Sequence, residues 1–145
     1  MKKIIFLCTG NSCRSQMAHG FANDFLSFEK KIIQSAGVRA DGLNEFAVKV
    51  MNEVNIDISN YESKTINSIK LSDFDLIVTV CDHARSCVNM NLLQSNRILN
   101  YNLEDPVNKS GTFGEKMIVY RKTRDQIKSI VFSIISGYDK FVNDE

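Results

Sequence analysis

The sequence contains one proline, no tryptophan, two histidines and seven glycines in 145 residues. With so few chain-breaking residues there is no proline-rich or glycine-rich linker, no low-complexity tract and no internal repeat to divide it. Residues 1–145 read as one domain around one core, as a chain of this length favours. Any excess of charge is missing as well. Eighteen Lys and Arg offset seventeen Asp and Glu for a net charge of +1, which argues against a nucleic-acid surface. No uncharged apolar run is long enough to cross a membrane. Met1-Lys2-Lys3 before Ile4-Ile5-Phe6-Leu7 begins like an export signal, but the apolar run stops at Thr9-Gly10-Asn11, too early for such a segment. These absences predict a cytoplasmic protein with neither membrane nor nucleic acid as partner. The 43% hydrophobic content excludes disorder.

What is present is four cysteines, Cys8, Cys13, Cys81 and Cys87. In a reducing compartment these do not read as a disulfide framework; catalytic, redox, metal-binding and merely buried roles stay open. Zinc fits poorly, because the gap between Cys8 and Cys13 is at the margin of common ligand spacing. No metal and no organic cofactor is expected.

Apolar runs at Ile4–Leu7, Lys31–Ser35 (closed by Ala36-Gly37), Asp75–Val80 and Arg97–Tyr101 read as strands. Between and after them, helical spacing recurs. It is carried by Met17, Ala18, Phe21, Ala22, Phe25 and Phe28, then by Phe46, Ala47, Val50, Met51 and Val54. A short helix is expected over residues 65–71. A long amphipathic helix carries Ile127, Ile130, Val131, Ile134, Ile135 and Tyr138 and ends near Gly137. Strands alternating with helices predict an α/β fold with a parallel sheet and helices on both faces. Ligands of such sheets bind at the carboxyl ends of the strands. Cys8, Cys81 and Asp105 each follow a predicted strand, so all three are expected along one edge.

The strongest local signal is Cys8-Thr9-Gly10-Asn11-Ser12-Cys13-Arg14-Ser15, between a strand and a helix. The amides of such a loop can curl around a tetrahedral anion at the positive end of the following helix. Thr9, Gly10, Asn11, Ser12, Cys13 and Arg14 are therefore the expected oxyanion-binding residues, with Arg14 gripping through its planar fork. Ser15 is close enough to donate to the Cys8 sulfur. An ordinary thiol with pKa about 8.5 is only ~3% ionised at pH 7, and these surroundings all favour the nucleophilic thiolate.

Extended through Gln16-Met17-Ala18, this loop resembles the one shared by low-molecular-weight protein tyrosine phosphatases and thioredoxin-coupled arsenate reductases. Ser35-Ala36-Gly37, Ile56-Asp57-Ile58-Ser59, Leu76-Ile77-Val78-Thr79-Val80-Cys81, Asp105-Pro106 and Arg121-Lys122-Thr123-Arg124-Asp125-Gln126-Ile127 extend the likeness along the chain. It implies a four-stranded parallel sheet, with Cys8 as nucleophile, Arg14 as anion grip and Asp105 as acid. It also implies that Cys81 and Cys87 are the two resolving thiols of a reductase. Phosphate-ester hydrolysis needs one thiolate, whereas converting arsenate to arsenite takes two electrons, which two thiols supply on becoming a disulfide. The phosphatases lack the resolving pair and carry an aromatic residue after the acid and proline, where this chain has Val107.

The expected activity is thus arsenate reduction in arsenic detoxification, with thioredoxin as reductant and phosphate or sulfate as mimics of the substrate. The alternatives are a phosphotyrosine or small-phosphomonoester phosphatase using Cys8, Arg14 and Asp105, and a module that binds oxyanion or senses oxidant without turnover. Three departures stand out. The resolving cysteines are one residue closer than is usual, Val88 stands where a proline is common, and His19 replaces a glutamate that in some relatives helps hold potassium. That potassium site is not carried over. Cys13 reads as structural and His83 as a loop residue. Residues six apart on a helix are ~9–10 Å apart, beyond the reach of a disulfide, so a helical 82–87 segment would have to unwind for Cys81 to bond Cys87.

Overall fold

The computed structural model describes residues 3–26, 32–82, 84 and 97–137. The apolar run after the N-terminal lysines forms β1 (Lys3–Cys8), in which Ile4, Ile5, Phe6 and Leu7 are wholly buried. Consecutive strand residues face opposite ways, so unbroken burial means that both faces of β1 are covered. The same holds for β3 (Leu76–Thr79). β2 spans Ile32–Gly37 and β4 spans Arg97–Asn100. β2 runs two residues past the expected stop at Ser35, because Ala36 and Gly37 pair with Leu7 and Cys8.

All pairings are parallel, in the order β2-β1-β3-β4. The chain leaves β1 toward one edge and later returns to its other side, so β1 and β3 flank a topological switch point. Their carboxyl ends open the crevice in which such sheets bind ligands.

Helix α1 (Arg14–Phe25) follows the loop directly and buries Met17, Ala18, Phe21 and Ala22, four of its predicted apolar positions. Helix α2 (Glu45–Asn52) is capped by the Asn44 side chain, which accepts from the N–H groups of Phe46 and Ala47. Helix α3 (Phe113–Ser136) opens on a reciprocal Thr112–Glu115 capping box and ends at Gly137. It is much longer than its aliphatic stripe predicts, because Met117, Tyr120, Thr123 and Arg124 continue the buried face. Arg124 donates to the Val50 carbonyl at 3.0 Å and to Glu53 at 2.8 Å, tying α3 to the end of α2.

The helix expected over 65–71 is instead two short 3-10 turns, Ile66–Ser68 and Leu71–Asp73, separated by extended backbone at Ile69. Of those six turn residues only Leu71 is buried, which leaves no apolar face to support a longer helix. Phe28, His83, Cys87, Val88 and Tyr138 lie outside the described residues.

Candidate active site

Cys8 closes β1, and the loop from Thr9 to Cys13 then curls into α1. A neighbouring segment sets its shape. The N–H groups of Val38, Arg39, Asp41 and Asn44 donate to the carbonyls of Cys8, Thr9, Gly10 and Ser12 at 3.1, 2.8, 2.9 and 2.9 Å. These four bonds tie the loop's carbonyls to the 38–44 segment and fix the path of its backbone. The two segments approach so closely that a Cβ on Gly37 would lie 2.6 Å from the Asn11 nitrogen and from the Arg39 carbonyl. Only glycine fits there.

Asn11 locks the back of the loop. It is fully buried and left-handed (φ 47°), a conformation asparagine tolerates better than most residues. Its side-chain oxygen accepts from the Lys64 N–H at 2.8 Å and from Gln16 at 3.2 Å, while its amide donates to the Ser15 hydroxyl at 2.8 Å. The Ser15 oxygen is thereby used as an acceptor, and its own proton is left for the Cys8 sulfur, 2.8 Å away. The predicted Ser15–Cys8 contact is present, and with Cys8 as thiolate Ser15 is its donor.

Arg14 is 4% exposed. One terminal nitrogen donates to the Leu103 carbonyl at 3.0 Å, and the other to Asp105 at 3.2 Å and Thr9 at 3.5 Å. Its Nε is buried without a partner, a costly arrangement unless an acceptor arrives from outside the chain. Asp105 is steadied by the Val107 N–H, which donates to its other oxygen at 3.1 Å. Cys8, Thr9, Gly10, Ser12, Cys13, Arg14 and Asp105 line one cavity of about 110 Å³, with Arg39, Asp41, Val107 and Asn108 at its rim. Its size and donors suit a small tetrahedral oxyanion.

Cys81 follows β3 on the same edge. Its sulfur lies 3.3 Å from the Thr9 hydroxyl and accepts from the Ala84 N–H at 3.4 Å. Thr9 therefore touches both Arg14 and Cys81. Cys8, Cys13 and Cys81 are all free thiols. Of the predicted site residues, Asn11, Ser15 and Cys81 adjoin the cavity's lining without being part of it, Asn11 with its side chain behind the loop, and Cys87 lies outside the described residues.

Sequence reading missed several participants. The sequence points to the Thr9 backbone and not to its hydroxyl, and gives no role to Leu103, Lys64, Arg39 or Asp41. Leu103, Lys64, Arg39 and Asp41 act across 30 to 89 positions of sequence, where no local pattern connects them. Asn11 is expected in the loop, but its side chain braces the back of it through Lys64, Gln16 and Ser15.

A family model for low molecular weight phosphotyrosine protein phosphatases matches residues 3–140. The chain belongs to this family. Among curated relatives, arsenate reductase from Bacillus subtilis (strain 168) is 47% identical over 126 residues, covering 87% of this chain and 89% of the relative. Arsenate reductase from Halalkalibacterium halodurans is 44% identical over 126 residues, with the same coverage. A solved structure of an arsenate reductase in the phosphate-binding state superposes with a TM-score of 0.79 at 33% identity, covering 94% of this chain and 98% of that one.

Two further features bear on how this member of the low-molecular-weight phosphatase family is built. Burial pushes the Cys13 thiol well up, the neighbouring Cys8 and Asp105 push it further, and Arg14 opposes them. Cys13 thus stays a neutral thiol beneath the loop. Among the described residues no group of three or more His, Cys, Asp or Glu is placed to hold a metal ion, and no helix is long and apolar enough to cross a membrane.

Proposed function

We propose that this protein reduces arsenate to arsenite by a thiol relay. The observation that carries the reading is a second free sulfur, Cys81, bound to the same loop that holds the nucleophile and linked through Thr9 to the anion-gripping arginine. Hydrolysis of a phosphate ester has no use for that sulfur. The arsenate reductases among the relatives favour the same assignment.

Arsenate binds to the loop amides from Thr9 to Cys13 and to Arg14. The Cys8 thiolate attacks arsenic, and an arsenic-bound oxygen leaves as water after Asp105 supplies a proton. Cys81 then attacks the Cys8 sulfur. The electron pair of the S–As bond passes to arsenic, arsenite departs, and a Cys8–Cys81 disulfide remains. Cys87 attacks Cys81 and releases Cys8 as thiolate, leaving Cys81–Cys87 for an external dithiol, which we assign to thioredoxin. The relay needs no metal or organic cofactor, and the whole of 1–145 serves as one cytoplasmic catalytic domain.

Thioredoxin-dependent arsenate turnover, measured for wild type and Cys87→Ser, tests this. The relay requires brisk turnover that collapses in the variant. Aryl-phosphate hydrolysis that is fast in both, without arsenate reduction in either, would instead make the protein a phosphatase.

A further inference from the structure

At the rim of the anion pocket stands a pair of opposite charges that the relay does not use. Arg39 donates through Nε to Asp41 at 3.3 Å and through a terminal nitrogen at 3.0 Å, as a two-pronged fork. Both side chains are open to water, 60% exposed for Arg39 and 43% for Asp41, and both line the cavity. Their backbones belong to the segment that shapes the loop, since the N–H groups of Arg39 and Asp41 donate to Thr9 and Gly10. The Asp41 carboxylate is pressed so closely against Gly10 that a methyl group there would collide with it. A negative charge therefore sits on the outer wall of a site built for anions. Arg39 covers it, and also feels Asp105.

We propose that Arg39 and Asp41 form an electrostatic rim that sets the affinity for the doubly charged oxyanion, with Arg39 as the second cation the anion meets and Asp41 as its tether and counterweight. This rests on the reading of the pocket as an oxyanion site. An exposed ion pair holds its partners weakly, so the Arg39 fork can turn from carboxylate to incoming arsenate, which offers the same planar pairing of oxygens. A rim charge acts on approach and retention of an anion, and it is screened by salt. Arsenite is uncharged near neutral pH and is held by neither charge, so the rim favours substrate over product.

The two residues make opposite predictions. The readout is the concentration of inorganic arsenate, and separately of phosphate, that half-protects Cys8 from iodoacetamide, followed on the Cys8 peptide by mass spectrometry. At low salt Arg39→Gln raises that concentration about fivefold, and Asp41→Asn lowers it about threefold. At roughly 0.5 M salt both differences shrink below about twofold. Steady-state arsenate kinetics follow, with the change in KM exceeding the change in kcat.

Half-protection that does not differ among the three proteins, or that shifts the same way in both variants, overturns the rim. The second outcome would make the pair a brace for the loop. Protection of wild-type Cys8 without arsenate reduction would remove the reductase assignment and leave the rim standing. A wild-type Cys8 that no oxyanion protects would remove both.

Discussion

Cys8 and Cys81 leave adjacent parallel strands on the same sheet edge, yet their surroundings differ. The Cys8 sulfur receives one short hydrogen bond, 2.8 Å from Ser15, whose orientation is dictated by Asn11. Asn11 is in turn held by the backbone N–H of Lys64. The Cys81 sulfur lies 3.3 Å from the Thr9 hydroxyl and accepts from the Ala84 N–H at 3.4 Å. One sulfur is locked into a loop whose carbonyls are tied to the 38–44 segment at four places. The other is buried at the end of a strand, where its contacts come from a single loop hydroxyl and the N–H of Ala84. This is the division of labour a relay demands: the first thiolate must be aimed at a bound anion, and the second must move to reach the first.

The largest expected effect separates the two sulfurs outright. Cys8→Ser and Cys81→Ser should each reduce thioredoxin-dependent arsenate turnover by at least about 10³-fold, since the proposed relay makes each an obligatory nucleophile. They should part company in a second assay. Slow aryl-phosphate hydrolysis requires only the locked sulfur, so it should vanish in Cys8→Ser and persist in Cys81→Ser. If Cys81→Ser still reduced arsenate with thioredoxin, the two sulfurs would not be partners.

A smaller effect distinguishes the hydrogen bonds themselves. Ser15→Ala removes the directed donor to Cys8 and should slow the first step by roughly 10²-fold, the usual cost of losing one preorganised donor. Single-turnover formation of the arsenic adduct, or aryl-phosphate hydrolysis, would report it. Thr9→Val keeps the loop amide but takes the hydroxyl from Cys81 and Arg14, and should slow arsenite release by about three- to tenfold. An equal loss in the first step for both variants would mean that the sulfurs are held no differently from each other.

This contrast was only half legible in the sequence. The strand runs, the interval from Cys8 to Arg14 and the Asp105-Pro106 pair predict the parallel sheet and the shared edge, because they depend on local periodicity and on motifs within a few residues. The 38–44 segment that shapes the loop, the Asn11–Lys64 lock, and Leu103 holding Arg14 depend on chain segments brought together only by folding. The misread helix at 65–71 has a related cause. Polar Asn67, Ser68 and Lys70 break any apolar face there, and residues 62–65 are occupied instead in backing the loop. Glu62 and Lys64 meet Gln16 and Asn11, and Thr65 bridges Gly37.

The smallest effect concerns the lock behind Cys8 and is read in stability rather than rate. The Ser35 hydroxyl donates to Gln16 at 3.4 Å, so its oxygen is free to accept from His19 Nδ1 at 3.0 Å. That chain continues through Gln16 and Asn11 to Ser15. Burial, assisted by the nearby Lys64 cation, lowers the His19 pKa from an ordinary 6.5 to about 4. Between those values the unfolded chain binds a proton that the folded chain refuses. The stabilisation is therefore complete above about pH 6.5 and is lost as the pH falls toward 4. From pH 7 to pH 5 this linkage amounts to about 2 kcal/mol. Urea unfolding at the two pH values, on wild type and His19→Gln, isolates it from the carboxylates, which titrate in both proteins. The wild type should lose about that much more stability than the variant. Parallel losses would mean that His19 is protonated as readily in the fold as outside it, and that the back of the Cys8 loop does not exclude charge.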